Sequence, residues 1–132
     1  MGLDLVDIFM FREQLSDVAS TFVEGTFTQH EQDSAQGRPG DDPARHLAAR
    51  FAAKEALIKA WSLARWGESP RLSFVDMCEI EVRLDEYGRP SLMLHGTVKK
   101  ALEELGVKRV HVSLTHEGGM AGAVVILEST ES

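Results

Sequence analysis

The chain has 132 residues, which suits one domain of ordinary size and is too short for two. Of these residues 43% are apolar and 27% are charged, so the composition excludes wholesale disorder and fibrous repeats. The 14 basic and 21 acidic side chains give a net charge of −7, which argues against nucleic acid or an anionic membrane surface as a partner. We expect one domain that spans residues 1–132.

The N-terminal segment and the cysteine content predict a cytoplasmic protein. Residues 1–7 carry two acids where a signal peptide needs a basic start followed by an apolar run. Cys78 is the single cysteine, so no intramolecular disulfide can form, as in a reducing compartment. No stretch approaches the roughly 18 consecutive apolar residues of a membrane span.

The N-terminal half predicts a strand, a loop and a long helix. Apolar residues 3–11 favour a short strand that runs into a helix near residues 12–18. Residues 28–43 are polar and rich in Gly and Pro, which indicates a mobile surface loop with at most a short turn of helix before it. Asp42 followed by Pro43 is a favourable helix start, and we expect this helix to continue to about Leu63.

The next segment predicts a hairpin and a helix. Residues 79–85 and 91–95 alternate polar and apolar side chains on either side of turn residues, as in a β-hairpin. A short amphipathic helix follows, with Thr97 as its N-cap, Leu105 as its last residue and Gly106 as its end signal.

Two further strands are predicted near the C-terminus. They cover residues 107–115 and 120–127, joined by a turn at residues 116–119. The second strand is apolar nearly throughout, so it should be the central strand of its sheet.

The long helix carries charges on a surface that is otherwise apolar nearly all round. Its large apolar residues fall within one arc and alanines cover much of the rest, so the helix should be buried with a sheet close to its Ala face. Residues 45–59 nevertheless contain four basic residues and one acid, a local charge of +3. These charged residues are Arg45, Arg50, Lys54, Glu55 and Lys59.

Two interpretations of these charges remain open. In the first, Glu55 and Lys59 form a solvated i,i+4 ion pair worth about 0.3 to 0.5 kcal/mol. In the second, the cations face an anionic ligand, and Glu55 lies among them to hold a metal ion or to accept a proton.

Asp4 and His116 are the other candidate site residues, each with two interpretations. Asp4 lies among apolar residues of the first predicted strand, so its side chain faces either solvent or a site. His116 at a strand end is either a surface residue or a phosphate contact. His111 and His116 fall on opposite strand faces, which excludes a zinc site shared by the two.

Three of these segments together resemble the holo-acyl-carrier-protein synthases, the small single-domain members of the 4′-phosphopantetheinyl transferase superfamily. The matching segments are residues 2–8, residues 50–60 with their Lys-Glu-Ala-x-x-Lys core, and residues 111–116. The hairpin turn at residues 88–90 matches as well. The order and spacing of these segments agree with those of the family, so the resemblance extends over essentially the whole chain.

The resemblance implies a compact α+β fold with an antiparallel sheet packed on the long Ala-rich helix. It implies transfer of the 4′-phosphopantetheine arm of coenzyme A to a serine of an acyl carrier protein or carrier domain, as in fatty acid biosynthesis, with release of adenosine 3′,5′-bisphosphate. It also implies a homotrimer with coenzyme A bound at subunit interfaces.

The resemblance also assigns roles to individual residues. Asp4 and Glu55 would hold Mg²⁺, and Glu55 and Lys59 would be the catalytic residues. Either Glu55 or a metal-bound water would accept the proton of the carrier serine. The residues expected to bind coenzyme A are Arg50, Lys54, Lys59, Gly88, Arg89, Pro90 and His116.

Two alternatives compete with the enzyme. One is a binding module for coenzyme A or acyl-coenzyme A that has lost catalysis, because Ser62 to Trp66 replace the usual Gly-Thr-Gly loop and Arg12 is the one arginine on the first helix. The other is a structural trimer in which the helix charges pair only with each other.

Overall fold

The structure is a computed structural model that describes residues 1–17, 20–37 and 39–129. Most of the helices precede residue 65, and most of the strands follow it. In chain order they are β1 (Gly2–Asp7), α1 (Ile8–Leu15), α2 (Phe22–Thr26), α3 (Gln29–Ala35), α4 (Pro43–Ala64), a 3₁₀ turn (Met77–Glu79), β2 (Ile80–Leu84), β3 (Pro90–Leu94), α5 (Gly96–Leu105), β4 (Arg109–Glu117) and β5 (Met120–Glu128).

The strands form two antiparallel sheets. One sheet has the order β1-β5-β4, so the apolar strand β5 is central, which confirms the prediction. The other sheet is the predicted hairpin of β2 and β3. The face of the larger sheet that carries Val6, Ala121 and Val125 is buried and packs on α4. The α+β fold with an antiparallel sheet on the Ala-rich helix is therefore confirmed.

Helix α4 is the centre of the core. Its N-cap is Asp42, whose carboxylate accepts a hydrogen bond from the amide of Ala44 at 3.1 Å, and Pro43 occupies its first turn, as predicted. The alanines let β1 approach closely. A Cβ atom on Gly2 would lie 2.7 Å from the amide nitrogen of Ala60 and still closer to the carbonyl oxygen of Ala56.

The prediction for residues 8–18 is wrong at the boundary between strand and helix. The strand ends at Asp7 and the helix begins at Ile8, because the Asp7 carboxylate caps the helix by accepting from the amide of Met10 at 3.1 Å. The apolar residues that favoured a strand instead turn one helical face inward, with Phe11 buried. Position 18, where this helix was predicted to end, lies outside the described residues.

The prediction of a mobile loop at residues 28–43 is also wrong, because α3 occupies much of it. Thr28 and Glu31 form a capping box at the start of this helix. Glu31 is fully buried although it is charged. Polar residues of this segment therefore make buried contacts as well as facing solvent. Position 38 lies outside the described residues.

Helix α5 begins one residue before its predicted cap. Thr97 donates its hydroxyl to Glu79 at 2.8 Å, and the same carboxylate accepts from the amide of Val98 at 2.9 Å. Glu79 therefore caps the helix from the preceding 3₁₀ turn, in place of Thr97. Gly106 ends the helix with a φ of +93°, as predicted.

The described part of the chain contains no helix with the length and apolar character needed to traverse a bilayer.

We expect the contact between Gly2 and α4 to limit the size of the side chain at this position. Gly2→Ala should lower the free energy of unfolding by about 1–3 kcal/mol, because the added methyl group meets helix backbone that cannot move aside. Chemical denaturation followed by circular dichroism measures the free energy of unfolding. The matched control is Gly25→Ala in α2, where a Cβ atom would contact nothing within 4 Å. Equal stability of Gly2→Ala and the wild type would contradict the close packing.

Candidate active site

The contact between β1 and α4 brings three charged residues together. The ammonium of Lys59 donates to the carboxylate of Asp4 at 2.9 Å and to the carbonyl oxygen of Leu3 at 3.1 Å. The Asp4 side chain is 14% exposed, whereas that of Lys59 is 55% exposed. Asp4 therefore faces α4 rather than solvent.

Glu55 lies one helical turn before Lys59 and completes this cluster. Burial raises the pKa of the Glu55 carboxyl, the charge of Asp4 raises it further, and Lys59 acts in the opposite direction. Lys59 therefore does more than form a solvated intrahelical pair with Glu55, since its ammonium lies on Asp4. We call Asp4, Glu55 and Lys59 the charge cluster.

The chemistry of the charge cluster suits Mg²⁺. Among the described residues no group of three or more His, Cys, Asp or Glu side chains could hold a metal ion. Mg²⁺ does not need such a cage, since proteins commonly bind it through one or two carboxylates plus substrate phosphates. Burial and the charge of Asp4 both raise the pKa of Glu55, and a cation between Asp4 and Glu55 would act against this rise.

His116 shares a sheet face with Asp4. The register places Asp4 opposite Ala123, which lies opposite Leu114, whereas His116 lies opposite Ala121 in the next row of that face. His116 is exposed. The imidazole therefore lies on the side of the sheet that carries the charge cluster and is accessible to a ligand.

Arg50 is a buried cation with few partners. Its side chain is on α4, 3% of the residue is exposed, and one terminal nitrogen donates to the hydroxyl of Ser34 on α3 at 2.8 Å. Its Nε has no hydrogen-bond partner among the described residues. Burial lowers the pKa of Arg50, whereas the carboxylate of Glu31 raises it.

Lys54 lies in the interior of the chain, whereas the resemblance implies a contact with coenzyme A. Its ammonium has no solvent exposure and pairs with Glu31 at 2.8 Å. It also donates to the carbonyl oxygens of Met77 at 2.8 Å and Ile80 at 2.5 Å. Three acceptors satisfy the three donors of a lysine, so none remains for a ligand.

The turn at Gly88, Arg89 and Pro90 lies at the tip of the β2–β3 hairpin. Gly88 adopts a φ of +81°, which favours glycine, and Pro90 begins β3. Arg89 donates to Asp85 at 2.6 Å and lies over the ring of Tyr87, both within the same hairpin. The contacts of this turn are therefore local and do not join it to the charge cluster.

Comparison with known proteins identifies the family. A model of the 4′-phosphopantetheinyl transferase superfamily, ACPS type, matches residues 1–124. The chain is 45% identical over 128 residues to the holo-[acyl-carrier-protein] synthase of Nocardia farcinica, covering 97% of this chain and 86% of the relative. The chain belongs to the 4′-phosphopantetheinyl transferase superfamily.

Other members of this superfamily are similar to this chain in sequence and in structure. The holo-[acyl-carrier-protein] synthase of Mycolicibacterium smegmatis is 46% identical over 128 residues, which cover 97% of this chain and 95% of the relative. The solved ACPS–CoA complex of Chronobacterium ammoniagenes is 42% identical and superposes with a TM-score of 0.88, covering 98% of this chain and 96% of the other. The match therefore includes every element that carries the charge cluster.

Sequence reasoning missed Ser34 and Glu31 as neighbours of the site. A signal for Glu31 was present, because Thr28 and Glu31 have the Thr-x-x-Glu spacing of a capping box. No comparable pattern marks Ser34, whose partner is 16 residues away on another helix.

We expect the two lysines of the Lys-Glu-Ala-x-x-Lys core to contribute very differently to stability. Lys54→Met leaves a buried carboxylate without its cation and should cost about 3–5 kcal/mol of unfolding free energy. Lys59→Met removes an ion pair whose lysine is 55% exposed and should cost less than about 1 kcal/mol. Urea denaturation of both variants measures the difference. Similar losses for the two variants would contradict the assignment of Lys54 to the interior.

Proposed function

We propose that this superfamily member is a holo-[acyl-carrier-protein] synthase of fatty acid biosynthesis. It transfers the 4′-phosphopantetheine arm of coenzyme A to a serine hydroxyl of an acyl carrier protein or carrier domain and releases adenosine 3′,5′-bisphosphate. The observation that carries this proposal is the charge cluster, in which Asp4 of β1 meets Glu55 and Lys59 of α4. The curated relatives carry the name of this enzyme, which favours catalysis over a binding module or a structural trimer.

The charge cluster would bind the diphosphate of coenzyme A. Lys59 supplies an exposed ammonium that can reach phosphate oxygens, and Arg50 and His116 would contact the nucleotide. Asp4 and Glu55 would hold Mg²⁺. When bound, this ion neutralises charge on the diphosphate and orients it for attack.

The reaction is an in-line displacement at phosphorus. The serine oxygen of the carrier forms a bond to the phosphorus that bears pantetheine. The bond from this phosphorus to the bridging oxygen breaks, and the bridging oxygen leaves with adenosine 3′,5′-bisphosphate. We propose that Glu55 accepts the serine proton, since its carboxylate lies in the charge cluster with Asp4 and Lys59. Lys59 offsets negative charge next to the phosphates.

A homotrimer, which the resemblance implies, is proposed because β1 and β5 carry exposed apolar residues on one face of the β1-β5-β4 sheet. This face is opposite to α4 and carries Leu3, Leu5 and Ile126, which are 60%, 63% and 45% exposed. Burial of such a face between copies of the chain would be favourable. The hairpin turn at residues 88–90 lacks contacts with the charge cluster of its own chain, so it would contribute to the adenine end of a site formed between subunits. A cytoplasmic location is proposed with this assembly.

We expect Glu55→Ala to lower transfer about 100-fold or more while the fold is kept, because the variant loses both a ligand and a proton acceptor. Mass spectrometry of an apo acyl carrier protein after incubation with coenzyme A and Mg²⁺ measures the transfer. Glu103→Ala, an exposed glutamate on α5, is the matched control and should keep wild-type activity. Full activity of folded Glu55→Ala would refute the role of the charge cluster.

We expect Ile126→Glu to dissociate the trimer, because it places a charge on the sheet face that subunits would bury. Size-exclusion chromatography with light scattering measures the mass of the assembly. Phe74→Glu changes another exposed apolar residue, remote in sequence from this face, and should leave the trimer intact. A wild-type protein that is monomeric at micromolar concentration would rule out the proposed assembly.

A further inference from the structure

Helices α3 and α4 meet through two polar pairs that lie one turn apart. Glu31 of α3 pairs with Lys54 of α4, and Ser34 of α3 accepts from Arg50 of α4. On α3, Glu31 and Ser34 are three residues apart and share one helical face. On α4, Arg50 and Lys54 are four residues apart and likewise share one face. A single buried carboxylate is therefore close to two buried cations.

The Glu31 carboxylate accepts three hydrogen bonds in the interior of the chain. One oxygen accepts from Lys54 at 2.8 Å and from the amide of Thr28 at 3.0 Å, and the other accepts from the amide of Val82 at 2.8 Å. The ammonium of Lys54 uses all three of its donors, on Glu31 and two backbone carbonyls. This closed pair has no net charge and no exposure.

Arg50 makes no direct ion pair among the described residues, although the charge of Glu31 acts on it from nearby. Its hydrogen-bond partner is the neutral hydroxyl of Ser34, and its buried Nε lacks a partner among the described residues. A buried guanidinium is costly unless an anion pairs with it. Glu31 is the neighbouring anion that could do so, and Lys54 occupies it.

We propose that Lys54 is a positioning residue that acts through Glu31: it occupies this carboxylate and thereby keeps Arg50 free, and oriented by Ser34, for an anionic group of coenzyme A. The inference rests on the proposed function, which assigns Arg50 to the nucleotide. Without Lys54, the Glu31 carboxylate would attract the guanidinium of Arg50 one helical turn away and neutralise it. Lys54 thus affects ligand binding without touching the ligand.

The test separates this role from simple stabilisation through four variants. These are Lys54→Met, Glu31→Gln, the double variant that combines them, and Arg50→Gln. Each is studied at a temperature where circular dichroism shows it folded. The measured quantities are the Kd of adenosine 3′,5′-bisphosphate by calorimetry, the KM for coenzyme A and the free energy of unfolding.

Both single changes break the buried pair and should destabilise the fold, but only one should weaken binding. Lys54→Met leaves the carboxylate free to capture Arg50, so its Kd and KM should rise about tenfold or more. Glu31→Gln removes the competing carboxylate, so its Kd should equal that of the wild type or be lower. The double variant also lacks the carboxylate and should bind like the wild type. Arg50→Gln should bind as weakly as Lys54→Met.

Four outcomes would overturn the inference. If Lys54→Met binds like the wild type while Arg50→Gln does not, Lys54 has no role in binding and the proposed function stands. If Glu31→Gln loses as much affinity as Lys54→Met, the pair acts only through stability. If Lys54→Met does not fold, the double variant decides, and weak binding by it contradicts the inference. If Arg50→Gln binds like the wild type, the inference fails together with the nucleotide role of Arg50, whereas transfer activity of the wild type still tests the function.

Discussion

The arrangement of the site depends on one close approach, that of strand β1 to the backbone of helix α4. Gly2 lies against the backbone of Ala56 and Ala60, and only glycine leaves enough space there. Two residues further along β1, Asp4 reaches Lys59. A bulkier contact would move the strand away from the helix and separate the two ends of the charge cluster. The small residues of α4 therefore let β1 pack closely and keep Asp4 within reach of Lys59.

The charges on α4 fall into two sets with different surroundings. Lys54 and Arg50 are buried, and their environment is built by α3, whereas Lys59 is largely exposed and Glu55 is half-buried. One buried carboxylate, Glu31, pairs directly with Lys54, whereas Arg50 bonds to the neutral hydroxyl of Ser34. A protein with a net charge of −7 can thus present cations to an anionic cofactor, because the local arrangement of partners decides which charges remain available.

The sequence predicted the helices and strands whose signals are local. It did not predict features that depend on a contact with a residue on another element. Helix α4 and strand β5 follow from capping residues and apolar content, and both were confirmed. The start of α1 was misplaced because one hydrogen bond, donated by the amide of Met10 to the Asp7 carboxylate, outweighs strand propensity. The burial of Lys54 was not predicted, because spacing along a helix does not reveal that Glu31 pairs with it. The family resemblance predicted the function, which no local pattern could have done.

The central claim is that β1 and α4 together form a magnesium site next to the phosphates of coenzyme A. The most direct measurement is a crystal structure grown with coenzyme A and Mn²⁺ in place of Mg²⁺, with the metal located by its anomalous scattering. We expect a peak bound by carboxylate oxygens of both Asp4 and Glu55 at about 2.1 Å, with diphosphate oxygens completing the coordination. A peak bound by neither carboxylate, with coenzyme A clearly bound, would contradict the claim.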